Sequence, residues 1–171
     1  MQPPPLPDDE RERLEALRRL GILDTPPSES FDRLTRIAAD VLQVPIVLVS
    51  LVDEHRQWFK SRFGLGAAET PREVSFCGHA VFLRAPLVVP DARTDPRFED
   101  NPLVIGEPHV GAYLGIPIHT RDGQPIGTLC AIDHRPRQFS NQDILFLSRM
   151  ARAVEHLVSI EDPESRHDPA G

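Results

Sequence analysis

The sequence predicts an α+β fold: a mainly antiparallel sheet, about five to six strands, flanked by helices. Three observations predict it. Apolar residues recur at helical spacing in 14–20, 31–42 and 144–158. Short apolar runs rich in β-branched residues lie between these stretches, Ile46–Val52 the clearest. The connections between neighbouring runs are too short for parallel crossovers.

Each element follows from local chemistry. The first helix starts at Asp8 or Asp9, either of which can cap it, with Glu10 and Glu12 at its positive end. Leu14, Leu17 and Leu20 form its stripe and Gly21 closes it. After the turn Asp24-Thr25-Pro26-Pro27 a second helix spans 30–42, followed by the strand Ile46–Val52 and a second strand over 56–62. A loop with Gly64, Gly66 and Pro71 leads to a helix over 75–84 and a short strand, Leu87–Val89. Residues 90–109, with four prolines, read as an irregular segment holding only short helical turns. Asp122-Gly123 signals a hairpin joining strands 112–119 and 125–133. The last helix starts at Ser140, which can pair with Asp143 in a variant capping box.

Composition narrows the function. The 171 residues suit one domain, placed at 9–160, with a solvated Pro-rich arm at 1–8 and a polar, Pro-broken tail at 161–171. With 26 acidic and 19 basic residues the net charge is −7, which argues against nucleic-acid binding. No run approaches the ~18 apolar residues of a membrane span, and MQPPPLPDDE lacks the parts of a signal peptide. The expectation is therefore a cytoplasmic protein without membrane contact. Its two cysteines are too few for a disulfide scaffold or a four-cysteine zinc site.

Six stretches carry a family likeness: LGILDTPP at 20–27, FDRLTRIAA at 31–39, SLVDEHRQWFKS at 50–61, ETPREVSFCGHAV at 69–81, PLVVPDARTDPRFEDNPLV at 86–104 and IGTLCAIDHRPRQFS at 126–140. In this order they resemble the GAF domain, a sensory module of the type found ahead of bacterial histidine kinase and cyclic-di-GMP enzyme domains. The resemblance covers roughly 11–158. It implies N- and C-terminal helices on one sheet face and a ligand pocket on the other, under the 75–84 helix and the 90–109 loop. It leaves the ligand open, because GAF domains bind cyclic nucleotides, bilins, haem or amino acids, and a few are enzymes. One departure stands out. Where this subgroup has an RFYAG-like stretch, Gly111-Ala112-Tyr113-Leu114-Gly115 lacks two large side chains, which leaves open a wider pocket, a different ligand or an idle site.

Ten residues form the candidate ligand site: Trp58, Ser75, Cys77, His79, Asp91, Arg97, Phe98, Asn101, Tyr113 and Cys130. In a helix, Cys77 and His79 point roughly 200° apart, so they cannot face one ligand together. Gly78 separates them, which argues against covalent bilin attachment. Asp91, Arg97 and Asn101 divide between turn chemistry and ligand contact, with Phe98 a possible lid. Trp58 and Tyr113 suit pocket walls and equally suit the core. The carboxylates lack calcium-loop spacing, so no metal is expected, and no cofactor is identified.

The functional expectation is a stand-alone, small-molecule-sensing regulatory domain without catalysis. Its ligand orders the 75–109 segment, and output passes through a homodimer of the terminal helices or through a histidine kinase or cyclic-di-GMP enzyme partner. Two alternatives remain. One is a thiol-dependent redox enzyme or sensor, methionine sulfoxide reductase-like, using Cys77 and Cys130. The other is an interaction scaffold with a vestigial pocket.

Overall fold

A computed structural model describes residues 1–163. Its centre is a six-stranded sheet made of β1 (Ile46–Val52), β2 (Arg56–Phe63), β3 (Glu69–Pro71), β4 (Leu87–Val89), β5 (Ala112–His119) and β6 (Pro125–Asp133). The strand order is β3-β2-β1-β6-β5-β4, and every pairing is antiparallel. Central β1 is buried along its whole length, as its unbroken apolar sequence requires when both faces are covered.

Three helices cover one face: α1 (Glu10–Arg19), α2 (Glu29–Leu42) and α5 (Asn141–Glu161). Leu17, Phe31, Ala38, Leu147, Ala151 and Val154 meet Val47, Val49, Leu51, Leu114, Leu129 and Ala131 in one apolar cluster. Ser140 accepts from the Asp143 amide at 3.0 Å while Asp143 accepts from the Ser140 amide at 3.0 Å, so the expected capping box starts α5. Asp9 sits at the cap position of α1 but makes no capping bond; its carboxylate pairs with Arg84 instead.

The opposite face carries α3 (Phe76–Leu83), the short α4 (Pro102–Ile105) and a 3-10 turn at Arg72–Val74. Strand alternation sends Ile46, Leu48, Phe59, Tyr113, Cys130 and Ile132 to this side. The expected hairpin at 112–119 and 125–133 is present. Edge strand β3 falls within the segment expected as a loop: three residues are too few to show alternation.

β2 carries a bulge. Val49 pairs with Ser61 and Ser50 with Phe59, so Lys60 is the extra residue. The bulge turns Lys60 toward the α2 side, where it donates to Thr25 Oγ1 and the Pro26 carbonyl, each at 2.8 Å. Arg56 grips both Asp24 carboxylate oxygens at 2.8 Å. The Asp24-Thr25-Pro26 turn is thereby fastened to β2.

The arm at 1–8 is mostly exposed and yet pinned to the body of the fold. The Gln2 amide donates to the Arg97 carbonyl at 3.1 Å, the Gln2 carbonyl meets His79 Nε2 at 2.9 Å, and Pro4 lies where a side chain on Gly78 would be. An extended proline-rich segment keeps its backbone groups free for such contacts and has little conformational freedom to lose. Most of the tail expected at 161–171 lies outside the described residues; α5 continues to Glu161.

Candidate functional site

The α3 face encloses a cavity of ≈ 380 Å³. Leu48 of β1, Phe59 of β2, Phe76 and Cys77 of α3, Tyr113 of β5 and Cys130 and Ile132 of β6 form its inner walls. Gly66, Ala67, Glu107 and Pro108 stand at its mouth, where Glu107 and Ala67 are exposed. The hollow exists because an eight-residue helix and a loop cannot fill a sheet face that long helices fill on the other side. Its size is within the range of small-ligand sites.

α3 is placed by its cap. Ser75 Oγ accepts from the Gly78 amide at 3.1 Å and donates to the Arg72 carbonyl at 2.6 Å. Phe76 stacks on Phe98 with centroids 4.0 Å apart and planes 10° apart, which anchors the helix to the 90–101 segment. Cys77 then points down to the sheet. Its sulfur lies 3.9 Å from that of Cys130 and accepts from the Tyr113 hydroxyl at 3.2 Å and the Thr128 hydroxyl at 3.1 Å. Tyr113 reaches there by lying across Gly115: a Cβ on Gly115 would come within 2.2 Å of the Tyr113 oxygen.

Burial pushes the Cys77 thiol up. The Cys130 thiol and the Thr128 and Tyr113 hydroxyls bonded to its sulfur, with the Ser50 hydroxyl nearby, outweigh that and hold it down at about 6. Cys130 moves the opposite way, raised by its bond to Cys77 and by burial. The Tyr113 hydroxyl is raised well above its ordinary value by burial and by the nearby sulfurs. Of the two thiols, Cys77 is the one that ionises first.

Beside the sulfurs, a polar chain crosses the wall. Ser50 Oγ donates to Gln57 Oε1 at 3.1 Å, and Gln57 Nε2 donates to Thr70 Oγ1 at 2.6 Å. Among the described residues no Arg or Lys lines the cavity. Nor is there a group of three or more His, Cys, Asp or Glu able to hold a metal ion among them.

Of the ten residues the sequence singles out, Cys77, Tyr113 and Cys130 come together in the cavity. The others stand elsewhere. Trp58 packs in the α1–α2–α5 core, because the residue between Gln57 and Phe59 faces the other side of β2. Ser75 is spent on the α3 cap. His79 leaves α3 on the side away from Cys77, meets the arm and sets its edge on Phe98 at 5.0 Å. Asp91 accepts from the Arg93 amide at 3.1 Å, and Arg97 pairs with its neighbour Asp95 at 2.8 Å. Asn101 caps α4 by accepting from the Leu103 amide at 2.9 Å and donates to the Val74 carbonyl at 3.0 Å. Phe98 is fully buried behind Phe76 and is not a lid.

Gly111 and Ala112 do not widen the cavity. A Cβ at Gly111 would meet the His134 carbonyl oxygen at 2.4 Å, and Ala112 faces the helix-side core. The wall residues Leu48, Phe59 and Ile132 are absent from the sequence-derived set. Alternation carries the signal for two of them: Ile132 shares a face with Cys130, and Leu48 is the cross-strand partner of Cys130.

Comparison with known proteins follows this geometry. The family described as GAF domain matches residues 26–158. A cyclic di-GMP phosphodiesterase of Pseudomonas aeruginosa is 41% identical over 155 residues, which are 90% of this chain and 26% of that protein. The chain thus spans about a quarter of that relative's length. The GAF domain of an Acinetobacter phosphoenolpyruvate-protein phosphotransferase superposes with a TM-score of 0.67 at 19% identity, covering 91% of this chain and 98% of that one. Free methionine-R-sulfoxide reductase from Neisseria meningitidis gives 0.65 at 18% identity, covering 94% and 96%. At such identities these two solved structures establish the fold alone. No helix among the described residues is long and apolar enough to cross a membrane.

Proposed function

The chain belongs to the GAF domain family, and from that premise we propose that it is a regulatory domain sensing a small, neutral, largely apolar molecule. The observation that carries this reading is the cavity: ≈ 380 Å³, walled by Phe59, Phe76, Tyr113 and aliphatic side chains, with no Arg or Lys of the described residues lining it. Besides the two thiols and Tyr113, its lining titratable groups are Glu107, at the mouth, and His134, whose Nδ1 is engaged with the Pro108 carbonyl at 2.7 Å. An anion placed there would lose its hydration without gaining an arginine or lysine. The α3 N-terminus offers little compensation, because Ser75 already holds the Gly78 amide. Cyclic nucleotides and dinucleotides are therefore poor occupants. An uncharged ring between the aromatic walls, with a polar tip on Gln57 or Thr70, suits the lining.

Binding orders the walls contributed by α3 and by residues 103–110, and the sheet carries that change to the helices behind it. Output then passes to a neighbouring domain or chain. The Pseudomonas relative favours a cyclic-di-GMP enzyme in that place, with a histidine kinase as the other class. The Leu14, Leu17 and Leu20 stripe is buried within the fold, so α1 leaves no such surface for a second copy. Ile37 and Val41 on α2 and Leu145 and Ile160 on α5 are the apolar side chains left open there, and the homodimer contact is assigned to them.

A thermal-shift screen tests the ligand class. Neutral aromatic compounds raise Tm, by up to the equivalent of about 2.7 kcal/mol at a hundredfold excess over Kd. Cyclic mononucleotides and cyclic di-GMP leave it unchanged. Stabilisation by the nucleotides alone overturns the reading.

A further inference from the structure

The cavity floor holds chemistry that ligand binding does not use. Cys77 and Cys130 are both free thiols, buried from bulk solvent, on two different elements, with sulfurs 3.9 Å apart. A disulfide needs these atoms at about 2.05 Å, so side-chain rotation and a small movement of α3 toward β6 close the gap. Both residues line the same cavity, whose mouth at Gly66, Ala67 and Glu107 lies on the loop side. An oxidant of water-like size reaches Cys77 by that route.

The surroundings divide the two sulfurs into unequal roles. Cys77 receives the Tyr113 and Thr128 hydroxyls at 3.2 and 3.1 Å, donors that stabilise negative charge on sulfur. The bond to Cys77 and burial against β1 and β5 raise the Cys130 thiol, and the Thr128 hydroxyl offsets them only in part.

We infer that Cys77 and Cys130 form a reversible peroxide-responsive thiol pair, in which Cys77 is the sulfur oxidised first and Cys130 the one that resolves it. The co-reactant is a small hydroperoxide, hydrogen peroxide in the simplest case. The Cys77 thiolate attacks one peroxide oxygen: a sulfur–oxygen bond forms, the oxygen–oxygen bond breaks, and the departing oxygen takes up a proton as water. Cys77 is then a sulfenic acid. Cys130 sulfur attacks Cys77 sulfur: the disulfide forms, the sulfur–oxygen bond breaks, and hydroxide leaves as water with the Cys130 proton. Two thiols have lost two electrons and two protons, and one hydrogen peroxide has become two waters. A dithiol restores both thiols by exchange.

This step takes Cys77 sulfur away from the Tyr113 and Thr128 hydroxyls, leaving two buried donors without their acceptor. The floor of the cavity must rearrange around them. Oxidation thereby reaches the same walls that a ligand touches, while requiring no ligand for itself.

The test uses the whole chain, exposed to hydrogen peroxide and compared by intact mass and thiol titration under denaturing conditions. The expected product is two hydrogen atoms lighter, has lost both titratable thiols, stays monomeric on non-reducing gels and regains both thiols with dithiothreitol. Cys130→Ser treated alike yields one sulfenic acid per chain, captured by dimedone and located at Cys77. Circular dichroism before treatment establishes that each sample is folded. If folded wild-type chain keeps both thiols while the guanidinium-unfolded chain loses them, the inference is overturned. Capture at Cys130 in the wild type, or linkage only between chains, overturns it equally. None of these outcomes depends on a cavity ligand, so their failure and that of the ligand-class screen are separate results.

Discussion

The two faces of the sheet are built from the same strands and end differently. One is covered by α1, α2 and α5, whose long apolar stripes interlock with alternate strand residues; Leu17, Leu147, Ala151 and Val154 are completely buried. The other is covered by eight residues of α3, a single turn of α4 and loop, which meet the sheet at separate points and leave ≈ 380 Å³ between them. The lesson concerns division of labour. Stability is concentrated on the helix face, and the opposite face is free to keep a hollow with polar atoms in it.

The largest test cuts the clasp that joins the two layers at the edge of the sheet. Arg13 of α1 is fully buried and Arg72 of the 3-10 turn nearly so; both bond the Glu10 carboxylate. Arg72 Nη1 bonds Glu10 and the Asp53 carbonyl, while its Nε and Nη2 have no hydrogen-bond partner among the described residues. Glu10→Ala leaves two buried guanidinium groups uncompensated and is expected to cost about 3–5 kcal/mol in urea unfolding. The same group sets an acid limb. Burial raises the Glu10 carboxyl, but the Arg13 and Arg72 bonds outweigh it and hold it at about 2, below the ordinary 4.5. A carboxyl lowered by folding stabilises the folded state fully above about pH 4.5, and that contribution, on the order of 3 kcal/mol, fades as pH falls toward 2. Glu10→Gln should flatten the stability profile in this window.

Truncations on each face then measure the contrast directly. Leu147→Ala opens a void inside a filled layer, for which about 2–5 kcal/mol is expected. Leu65→Ala, at the half-buried rim of the cavity, removes a side chain that already borders empty space, and about 1 kcal/mol or less is expected. Equal costs would mean that the two layers are packed alike. Between these lies Gly115→Ala, whose added methyl meets the Tyr113 ring, with a hydroxyl oxygen 2.2 Å away. Overpacking of this kind costs about 1–3 kcal/mol. It also lifts the Tyr113 hydroxyl from Cys77, so alkylation of Cys77 should need a higher pH than in the wild type.

The same contrast explains what could be read from the chain. Helix-face elements were legible because their stripes repeat at three and four residues, and because Ser140 and Asp143 announce the start of α5. The hairpin was legible from Asp122-Gly123. On the cavity face the divergence of Cys77 and His79 is legible, because it follows from helix geometry alone. For Trp58 the sequence leaves wall and core equally open, and its placement on β2 opposite Gln57 and Phe59 puts it in the core. For Asp91, Arg97 and Asn101 the sequence divides between turn chemistry and ligand contact, and in the fold these residues, with Phe98, hold the loop itself together. Their polar and aromatic groups find partners one to three positions away or in Val74 and Phe76, and only the fold reveals that those partners exist. The apolar wall, Leu48, Phe59 and Ile132, looked like ordinary core because in sequence a side chain against a hollow is the same as one against a neighbour.

The smallest expected effect on stability isolates the hollow itself. Ala67 lies at the mouth and is exposed, so a larger side chain there displaces no packed neighbour. Ala67→Phe should change the unfolding free energy by less than about 0.5 kcal/mol, the usual range for surface positions. Its ring has an apolar opening beside it, bordered by Leu65 and Leu103, and lying there it removes water-exposed area while narrowing the entrance. The neutral aromatic compounds that raise the wild-type Tm should then raise that of the variant much less, with urea midpoints of the free proteins coinciding. An undiminished shift would place the ligand outside this cavity, and the two faces of the sheet would then differ in packing without differing in function.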